Sequence, residues 1–494
     1  MKKIFFVLLA ISLIACKSNK KEQAKTDDNV RYQETEIAPE TYYSEDITFE
    51  NEKESFVLAG TLTLPAKEGN FPAVVLISGS GLQNRDEEIL GHKPFLILSD
   101  HLTRNGIAVL RFDDRGFGES KGDVKNATTE NFADDVHYAV KYLLSRNEID
   151  KTKIGLIGHS EGGIIAPMIA AKSDDIAFIV LLAGSGLQGK DLLLLQTDLL
   201  AKVSGISDSV RQQSAATNKQ LYEIVCNTDD RQERETKITE CMQQHLSKTP
   251  AIYKGGKTDD EIISATLKQL ESEWITYFIR YNPAPTLEKV KCPVLAVNGS
   301  KDLQVPSKEN LEAIENALKK GGNTNVTIKE FEGLNHLFQE CNTGSPAEYG
   351  IIKQTFSPTV LSEISQWILE VSSKLPNWIL GTWSNSYESN TNYWESWIFC
   401  NDSVWIEKDF SINSRNIICL NEKFQDYKMN VNFNDSICQL NFVKDKELII
   451  YEFKRIKVFA NDTKLSLSYS IKENEVIKRD HMTSCNCTFQ KQRN

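Results

Sequence analysis

The hexapeptide GHSEGG at residues 158–163 constrains this chain more than any other feature. An apolar, β-branched run at residues 153–157 precedes it, and a second apolar run at residues 164–171 follows it. The pattern predicts a buried strand, a tight turn and a helix. Glycines two positions before and two positions after Ser160 let the backbone bend sharply. The turn would therefore lift the Ser160 hydroxyl above the edge of a sheet, near the amino end of the following helix.

A buried strand, a sharp turn with glycines around a serine, and a helix match the α/β-hydrolase nucleophile elbow. Predicted strands and helices alternate on both sides of this turn. A hairpin is predicted over residues 46–64. Buried strands are predicted at residues 73–77, 107–112, 176–183, 293–299 and 325–331, and helices at 94–105, 131–145, 306–319 and 358–374. The alternation predicts an α/β fold with a mainly parallel, doubly wound sheet, in a hydrolase domain spanning residues 46–374.

The alternation stops between residues 184 and 285. Helical periodicity with charged faces continues there, which predicts a helical lid inserted over the site. Trp274, Tyr277 and Phe278 either line an acyl pocket or belong to the core of this insertion.

The segment Ser-Gly-Ser-Gly at residues 78–81 follows an early strand directly, so its backbone amides are uncovered. In this fold such a loop supplies one donor of an oxyanion hole, and the residue after the nucleophile, here Glu161, supplies the other through its amide. The candidates for the loop donor are Ser80 and Gly81.

A serine hydroxyl becomes a good nucleophile when an imidazole removes its proton and a carboxylate holds that imidazole in one tautomer. Asp302 follows the predicted strand 293–299, and His336 follows the last core strand. Ser160, Asp302 and His336 stand in the chain order of this fold, whereas the other histidines precede the serine or lie in the lid or the tail. We expect His159 to point away from the site, and the loop carrying Asp113 and Asp114 to be structural.

Residues 71–367 resemble bacterial α/β-hydrolase esterases of the serine-aminopeptidase-like superfamily. The resemblance lies in the motifs SGSG at 78–81, GHKPF at 91–95, GHSEGG at 158–163 and GLNHLFQ at 333–339. It implies carboxylesterase activity on short acyl esters, without a cofactor or a metal. The chain departs from the subgroup at Leu82, where proline is expected. Residues 85–87 and 92–93 lie near the first motif and either contact substrate or form surface charge.

The amino terminus is not part of this fold. Lys2 and Lys3 precede the apolar residues 4–15, which are too few to span a membrane, and Cys16 closes the run. Residues 1–16 resemble the signal peptide and lipobox of a bacterial lipoprotein, which implies cleavage before Cys16 and lipidation of that cysteine. The polar residues 17–45 are predicted to be a tether. The expected location is the cell envelope, on the periplasmic or cell-surface side.

The net charge is −11, and no basic run follows the tether. These features argue against a nucleic-acid partner and leave the lipid as the only contact with a membrane. The partner expected is a small-molecule ester. The cysteines do not form a disulfide framework or a zinc pattern, so no metal site is predicted.

Beyond residue 374 the composition changes to Asn, Ser, Tyr, Trp and Ile with strand-like alternation. Residues 375–494 are predicted to form an antiparallel β-barrel of six to nine strands, or else a sandwich. Gly-Thr-Trp at residues 381–383 resembles the opening of lipocalin-like barrels.

The preferred interpretation is a serine hydrolase that cleaves carboxylic esters through an acyl-enzyme on Ser160. Acyl transfer, thioester hydrolysis and peptidase action on the same triad remain alternatives. A non-catalytic binding lipoprotein with a vestigial elbow is the alternative from another class.

Overall fold

The computed structural model describes residues 41–251 and 254–373, together with the backbone of the strands between residues 381 and 491. The described part up to residue 373 is built on one eight-stranded sheet. Its strands are β1 (Tyr43–Asn51), β2 (Phe56–Leu64), β3 (Phe71–Ile77), β4 (Ala108–Phe112), β5 (Ile149–His159), β6 (Phe178–Leu182), β7 (Val294–Gly299) and β8 (Val326–Phe331).

The strand order is β1-β2-β4-β3-β5-β6-β7-β8. From β4 to β8 every neighbouring pair is parallel, whereas β1 and β2 form an antiparallel edge. Every residue of β4, β6 and β7 is buried. Such continuous apolar strands are typical of a sheet that is covered on both faces. The predicted α/β architecture with a mainly parallel sheet is confirmed.

The helices that alternate with these strands lie close to the predicted positions. They are α1 (Pro94–Arg104), α2 (Thr129–Ser145), α3 (Gly162–Ala170), α10 (Ser307–Lys320) and α11 (Pro358–Ser373). Helix α3 follows β5 after a two-residue turn, and it packs on β5 and β6. The turn between β5 and α3 therefore lies at the middle of the sheet, at the carboxyl ends of its parallel strands.

Six helices connect β6 to β7 in place of one. They are α4 (Gly189–Val203), α5 (Asp208–Asn227), α6 (Arg231–Ser247), α7 (Asp259–Leu270), α8 (Glu273–Arg280) and α9 (Ala284–Leu287). Main-chain and side-chain bonds join the two ends of this insertion. The Gly189 N–H donates to the Tyr281 carbonyl across 3.0 Å, and the Gln188 amide donates to the Arg280 carbonyl across 3.2 Å.

The structure moves the predicted boundary between the tether and the hydrolase domain. Strand β1 begins at Tyr43, inside the segment predicted as tether, because residues 43–45 pair with residues 62–64 of β2. The predicted signal sequence, the lipidation site Cys16 and residues 17–40 of the predicted tether lie outside the described residues.

The chain divides into two compact units, one ending at Trp367 and the other beginning at Ile368. Among its described residues, the second unit contains ten antiparallel strands. They are β9 (Gly381–Asn385), β10 (Trp394–Phe399), β11 (Val404–Ser411), β12 (Ser414–Cys419), β13 (Lys428–Phe433), β14 (Ile437–Lys444), β15 (Glu447–Phe459), β16 (Asp462–Glu473), β17 (Val476–Lys478) and β18 (Thr488–Lys491). Closure of these strands into a lipocalin-like barrel stays a prediction. Within the described residues, no helix has both the length and the apolar character needed to span a bilayer.

Candidate active site

Ser160 lies in the turn between the end of β5 and the start of α3. Its φ angle is +53°, a left-handed conformation that costs a non-glycine residue roughly 1–2 kcal/mol. The Ser160 N–H donates to the Leu182 carbonyl of β6 across 2.9 Å, and the Gly163 N–H donates to the Ser160 carbonyl across 3.0 Å. These bonds hold the strained turn, and Ser160 lines a cavity above it.

The glycines of the elbow are required by close backbone approach. A Cβ atom on Gly158 would lie 2.0 Å from the Gly162 carbonyl oxygen, and one on Gly162 would lie 2.2 Å from the carbonyl oxygen of Ile77 in β3. A Cβ on Gly163 would lie 2.5 Å from the Gly184 Cα. Since the obstructing atoms belong to the backbone, no rotamer change can make room for a side chain.

Asp302 and His336 come together from separate loops after β7 and β8. His336 Nδ1 lies 2.7 Å from Asp302 Oδ2, and both residues are buried, with 4% and 3% of their surface exposed. The other Asp302 oxygen, Oδ1, accepts the N–H groups of Gln304 and Val305 across 2.8 and 2.9 Å. Asp302 is thereby fixed by its own loop, and His336 Nε2 is the ring nitrogen left for the cavity.

A cavity of about 110 Å³ brings Ser160 and His336 to one site. Its apolar lining includes Ile164 of α3, together with residues of the insertion, namely Leu192, Leu193, Trp274 and Phe278. Trp274 and Phe278 stack with ring centroids 5.3 Å apart. Two of the three aromatic residues singled out in the insertion thus line the cavity, whereas Tyr277 stacks on Tyr281 outside it.

The two candidate donors of the oxyanion loop line different cavities. Ser80 lines the cavity of Ser160, whereas Gly81, with a φ of +98°, lines a smaller neighbouring cavity. Among the described residues no acceptor is found for the backbone N–H of Ser80, of Gly81 or of Glu161. The Gly79 N–H, in contrast, is bound by a carboxylate oxygen of Glu87 across 2.7 Å.

The Glu161 side chain is buried without a cation beside it. Its Oε1 atom accepts the Thr129 hydroxyl across 2.6 Å and the Trp274 indole N–H across 2.8 Å. Burial raises the pKa of Glu161 above its usual value, and the hydrogen bonds from Thr129, Trp274 and Ser80 oppose that change. The carboxyl group therefore connects the elbow to α2, to the insertion and to the oxyanion loop.

His159 does not point away from the site, as the sequence had led us to expect. It lines the same cavity, and its ring centroid lies 4.8 Å from that of His336. Its Nδ1 atom lies 2.9 Å from Glu87 Oε1, and its Nε2 atom lies 3.0 Å from the main-chain oxygen of His336. Glu87 is buried as well, so the pair is enclosed beside the candidate triad.

The loop after β4 has the structural role predicted for it. The two Asp113 oxygens bind the Arg85 guanidinium, and the Asp114 oxygens accept the Ser78 hydroxyl across 2.9 Å and the Gln83 N–H across 2.7 Å. Burial raises the pKa of Asp114 to about 8. These carboxylates hold the segment from Ser78 to Arg85 from beneath and do not line the cavity of Ser160.

The charged residues near the oxyanion loop make different contacts. Arg85 binds Asp113, and the buried His92 ring contacts the Thr355 hydroxyl and the Tyr349 carbonyl. Glu87 lines the cavity.

The cavity is also lined by residues that were not predicted from the sequence, among them Gln83, Gln304 and Tyr349. The Gln304 amide donates to the Tyr349 hydroxyl across 3.0 Å. No motif marks these residues. Only their positions in loops that leave the carboxyl end of the sheet could have drawn attention to them.

Within the described ranges, no cluster of His, Cys, Asp or Glu side chains is arranged to hold a metal ion.

Comparison with known proteins agrees with this architecture. A family model described as "Serine aminopeptidase, S33" matches residues 95–341, half of the chain. Esterase EstD of Thermotoga maritima is 27% identical over 339 residues, covering 68% of this chain and 69% of EstD. An uncharacterised 31.7 kDa protein of Escherichia coli is 26% identical over 311 residues, covering 62% and 94% of the two chains.

Similar solved structures include esterase PF2001 of Pyrococcus furiosus, with 15% identity, a TM-score of 0.40 and coverage of 67% of this chain and 90% of that one. They also include Est1E of Butyrivibrio proteoclasticus with bound ferulic acid, with 16% identity, a TM-score of 0.36 and coverage of 65% and 96%.

The molecule belongs to the class of α/β-hydrolases. It has a nucleophile elbow at the centre of a mainly parallel sheet, and a carboxylate-bound histidine lies at the same edge of that sheet. The chain belongs to the serine aminopeptidase S33 family. It is an esterase-like hydrolase.

Proposed function

We propose that this protein hydrolyses small, uncharged carboxylic esters through an acyl-enzyme on Ser160. The observation that carries the proposal is one cavity lined by both the strained Ser160 and by His336, whose Nδ1 is bound to Asp302. A nucleophile, a base and a residue that orients the base are the groups that acyl transfer requires.

In the first half of the reaction, Ser160 Oγ attacks the ester carbonyl carbon and His336 Nε2 takes the hydroxyl proton. Asp302 fixes the tautomer of His336 and stabilises the imidazolium that forms. The carbonyl oxygen gains negative charge, and the free N–H groups of Ser80 and Glu161 are the donors available to it. Removing one such donor typically costs about 10²–10³-fold in kcat.

In the second half, the tetrahedral intermediate collapses and the ester C–O bond breaks. The His336 imidazolium gives its proton to the departing alkoxide, so the alcohol leaves and the acyl group remains on Ser160 Oγ. Water then attacks the acyl carbon while His336 Nε2 accepts one of its protons. The second tetrahedral intermediate collapses, the bond between Ser160 Oγ and the acyl carbon breaks, and His336 returns the proton to Oγ as the carboxylic acid is released.

The cavity favours a small, neutral acyl group. Its volume of about 110 Å³ is below the roughly 300–1,000 Å³ of pockets for drug-sized ligands. No Lys or Arg is among the described residues that line it. An anionic acyl group would therefore lose hydration without gaining a Lys or Arg partner.

The contacts of the two cavity carboxylates favour esters over aminopeptidase substrates. An aminopeptidase needs a carboxylate for the α-ammonium group of the peptide. Glu87 is already bound to His159 and Gly79, and Glu161 to Thr129 and Trp274. The carboxylate of Glu87 already faces His159, and burial raises the pKa of Glu161, so we expect both to be weak partners for an ammonium ion and peptide amides to be poor substrates.

The test is a fluorophosphonate label combined with ester kinetics. Mass analysis of the labelled wild-type protein should find the adduct on Ser160. Ser160→Ala should lose the label and at least about 10³-fold of turnover, whereas Ser173→Ala, in the loop after α3, should keep both. An unlabelled wild-type protein, or full turnover by Ser160→Ala, would show that the protein does not use this nucleophile.

We also propose that a lipid on Cys16 anchors the enzyme in the cell envelope, which rests on the sequence of residues 1–16. Cell fractionation and mass analysis of the mature amino terminus test it. Cys16→Ser should move the protein from the membrane fraction to the soluble fraction. Membrane association unchanged by Cys16→Ser, or a mature amino terminus without lipid, would contradict the anchor.

A further inference from the structure

The His159 ring has a hydrogen-bond acceptor at each nitrogen. Nδ1 faces Glu87 Oε1 at 2.9 Å, and Nε2 faces the main-chain carbonyl oxygen of His336 at 3.0 Å. A neutral imidazole carries one N–H and can donate to only one of them. An imidazolium donates to both, so the surroundings of the ring fit the charged form.

A proton on Glu87 in place of His159 would fit these contacts poorly. The same oxygen, Oε1, also accepts the Gly79 N–H across 2.7 Å. A protonated Oε1 would turn its hydroxyl oxygen, a weaker acceptor than a carboxylate oxygen, toward that N–H. Burial lowers the pKa of His159, but the charge and hydrogen bond of Glu87 outweigh it, and the pKa of His159 is raised.

The backbone of Glu87 has a strained conformation. Its φ angle is +51°, a left-handed conformation for a residue with a long side chain. Its side chain is nevertheless buried, and it reaches His159 from 72 positions earlier in the chain. Strained residues that persist beside a functional site are often there to hold it in place.

We propose that Glu87 and His159 form a buried carboxylate–imidazolium pair that positions the oxyanion loop and the His336 loop around Ser160. Glu87 holds the N–H of Gly79, next to Ser80, and His159 holds the carbonyl group of His336. Both are positioning residues. The inference rests on the proposed function, in which the Ser80 amide and the His336 imidazole act on the ester.

The first measurement reads the protonation state of His159 directly. In protein labelled with ¹⁵N-histidine, both ring nitrogens of His159, assigned with His159→Gln, should carry protons at pH 7–8. Glu87→Gln, which keeps the side-chain shape and removes the charge, should convert His159 to the neutral form. A neutral His159 in the wild-type protein at pH 7 would overturn the proposal.

The second measurement is ester kinetics, with kcat normalised to the active sites that a fluorophosphonate titrates. In Glu87→Gln kcat should fall by about tenfold or more, with a smaller change in KM. Glu87→Asp, which keeps a charge, should retain more of kcat than Glu87→Gln. His101→Gln on α1, a histidine outside the cavity, is the matched control and should leave kcat and KM unchanged.

A purely structural role for the pair would reduce the number of titratable sites without lowering kcat per site, and that result would overturn the proposal. Failure of the proposed function is a separate outcome. If Ser160→Ala retained full turnover, the nucleophile would be wrong. The spectrum of His159, which can be recorded in the Ser160→Ala protein, would still decide whether the ion pair exists.

Discussion

The indole N–H of Trp274 donates to a carboxylate oxygen of Glu161 across 2.8 Å. Trp274 belongs to α8 of the helical insertion, and Glu161 directly follows the candidate nucleophile. One hydrogen bond therefore connects the roof of the cavity to the residue whose amide is available to the developing oxyanion. Substitutions in the insertion that disturb this hydrogen bond should therefore change kcat.

Trp274→Phe removes the indole N–H and keeps an aromatic ring in the cavity. Because the buried Glu161 carboxyl loses one of its donors, the free energy of unfolding should fall by about 1–3 kcal/mol, and kcat should fall with it. Denaturant unfolding and ester kinetics measure the two effects. Trp367→Phe on α11 is the matched control, since it removes a 3.2 Å hydrogen bond from the indole N–H to the Thr327 hydroxyl of β8. It should cost stability without lowering kcat, and equal kcat losses in both variants would contradict the coupling.

Asp302→Asn should lower kcat by about 10³–10⁴-fold while the protein remains folded. The asparagine oxygen can still accept the N–H groups of Gln304 and Val305, but its amide nitrogen cannot accept the His336 Nδ1–H. The wrong tautomer of His336 is then favoured. Kinetics with a chromogenic ester measure the loss. Glu332→Gln, an exposed carboxylate in the His336 loop, should retain activity, and activity within tenfold of wild type in Asp302→Asn would exclude Asp302 as the triad acid.

The buried Asp114 should make the protein less stable as the pH rises. Burial raises its pKa to about 8 in the folded state, so between about pH 4 and pH 8 the folded state holds a proton that the unfolded state releases. The stability from this group is complete below pH 4. It falls by up to about 1.4 kcal/mol per pH unit as the pH rises toward 8.

Asp114→Asn removes this dependence, because its amide can donate to the Ser78 hydroxyl while its oxygen accepts the Gln83 N–H. Relative to wild type, the variant should gain stability between pH 5 and pH 8 in denaturant unfolding. In Asp113→Asn the difference from wild type should be constant over that range, because hydrogen bonds from Arg85 and Glu119 outweigh burial and lower the pKa of Asp113. A constant difference for Asp114→Asn would show that Asp114 is ionised throughout.

Gly158→Ala should destabilise the protein by more than about 3 kcal/mol or prevent folding. The new Cβ would lie 2.0 Å from the Gly162 carbonyl oxygen, so the elbow itself would have to move. Gly322→Ala is the control, because Gly322 has a φ of +81° but no atom within 4 Å of an added Cβ. It should cost about 1 kcal/mol. Equal costs in thermal unfolding would show that crowding at the elbow is not what excludes a side chain there.

The core sheet was predictable because its central strands β3, β6 and β7 are almost continuous apolar runs, which a single sequence shows. The elbow was predictable because its glycines meet backbone atoms nearby. The contacts of His159 were not predictable in this way. They come from Glu87, 72 positions earlier, in a loop with no periodicity and with a left-handed glutamate that no sequence pattern marks. The choice between Ser80 and Gly81 likewise depends on which neighbouring cavity each residue lines.

The ends of the helical insertion are bonded to each other, with the Gly189 N–H on the Tyr281 carbonyl. The segment between them thus leaves the sheet and returns to it at a single point. Such a segment can be lengthened, shortened or exchanged as a cassette while β6 and β7 keep their positions. Acyl preference can therefore diverge among relatives through the cassette alone, with the reacting groups inherited unchanged.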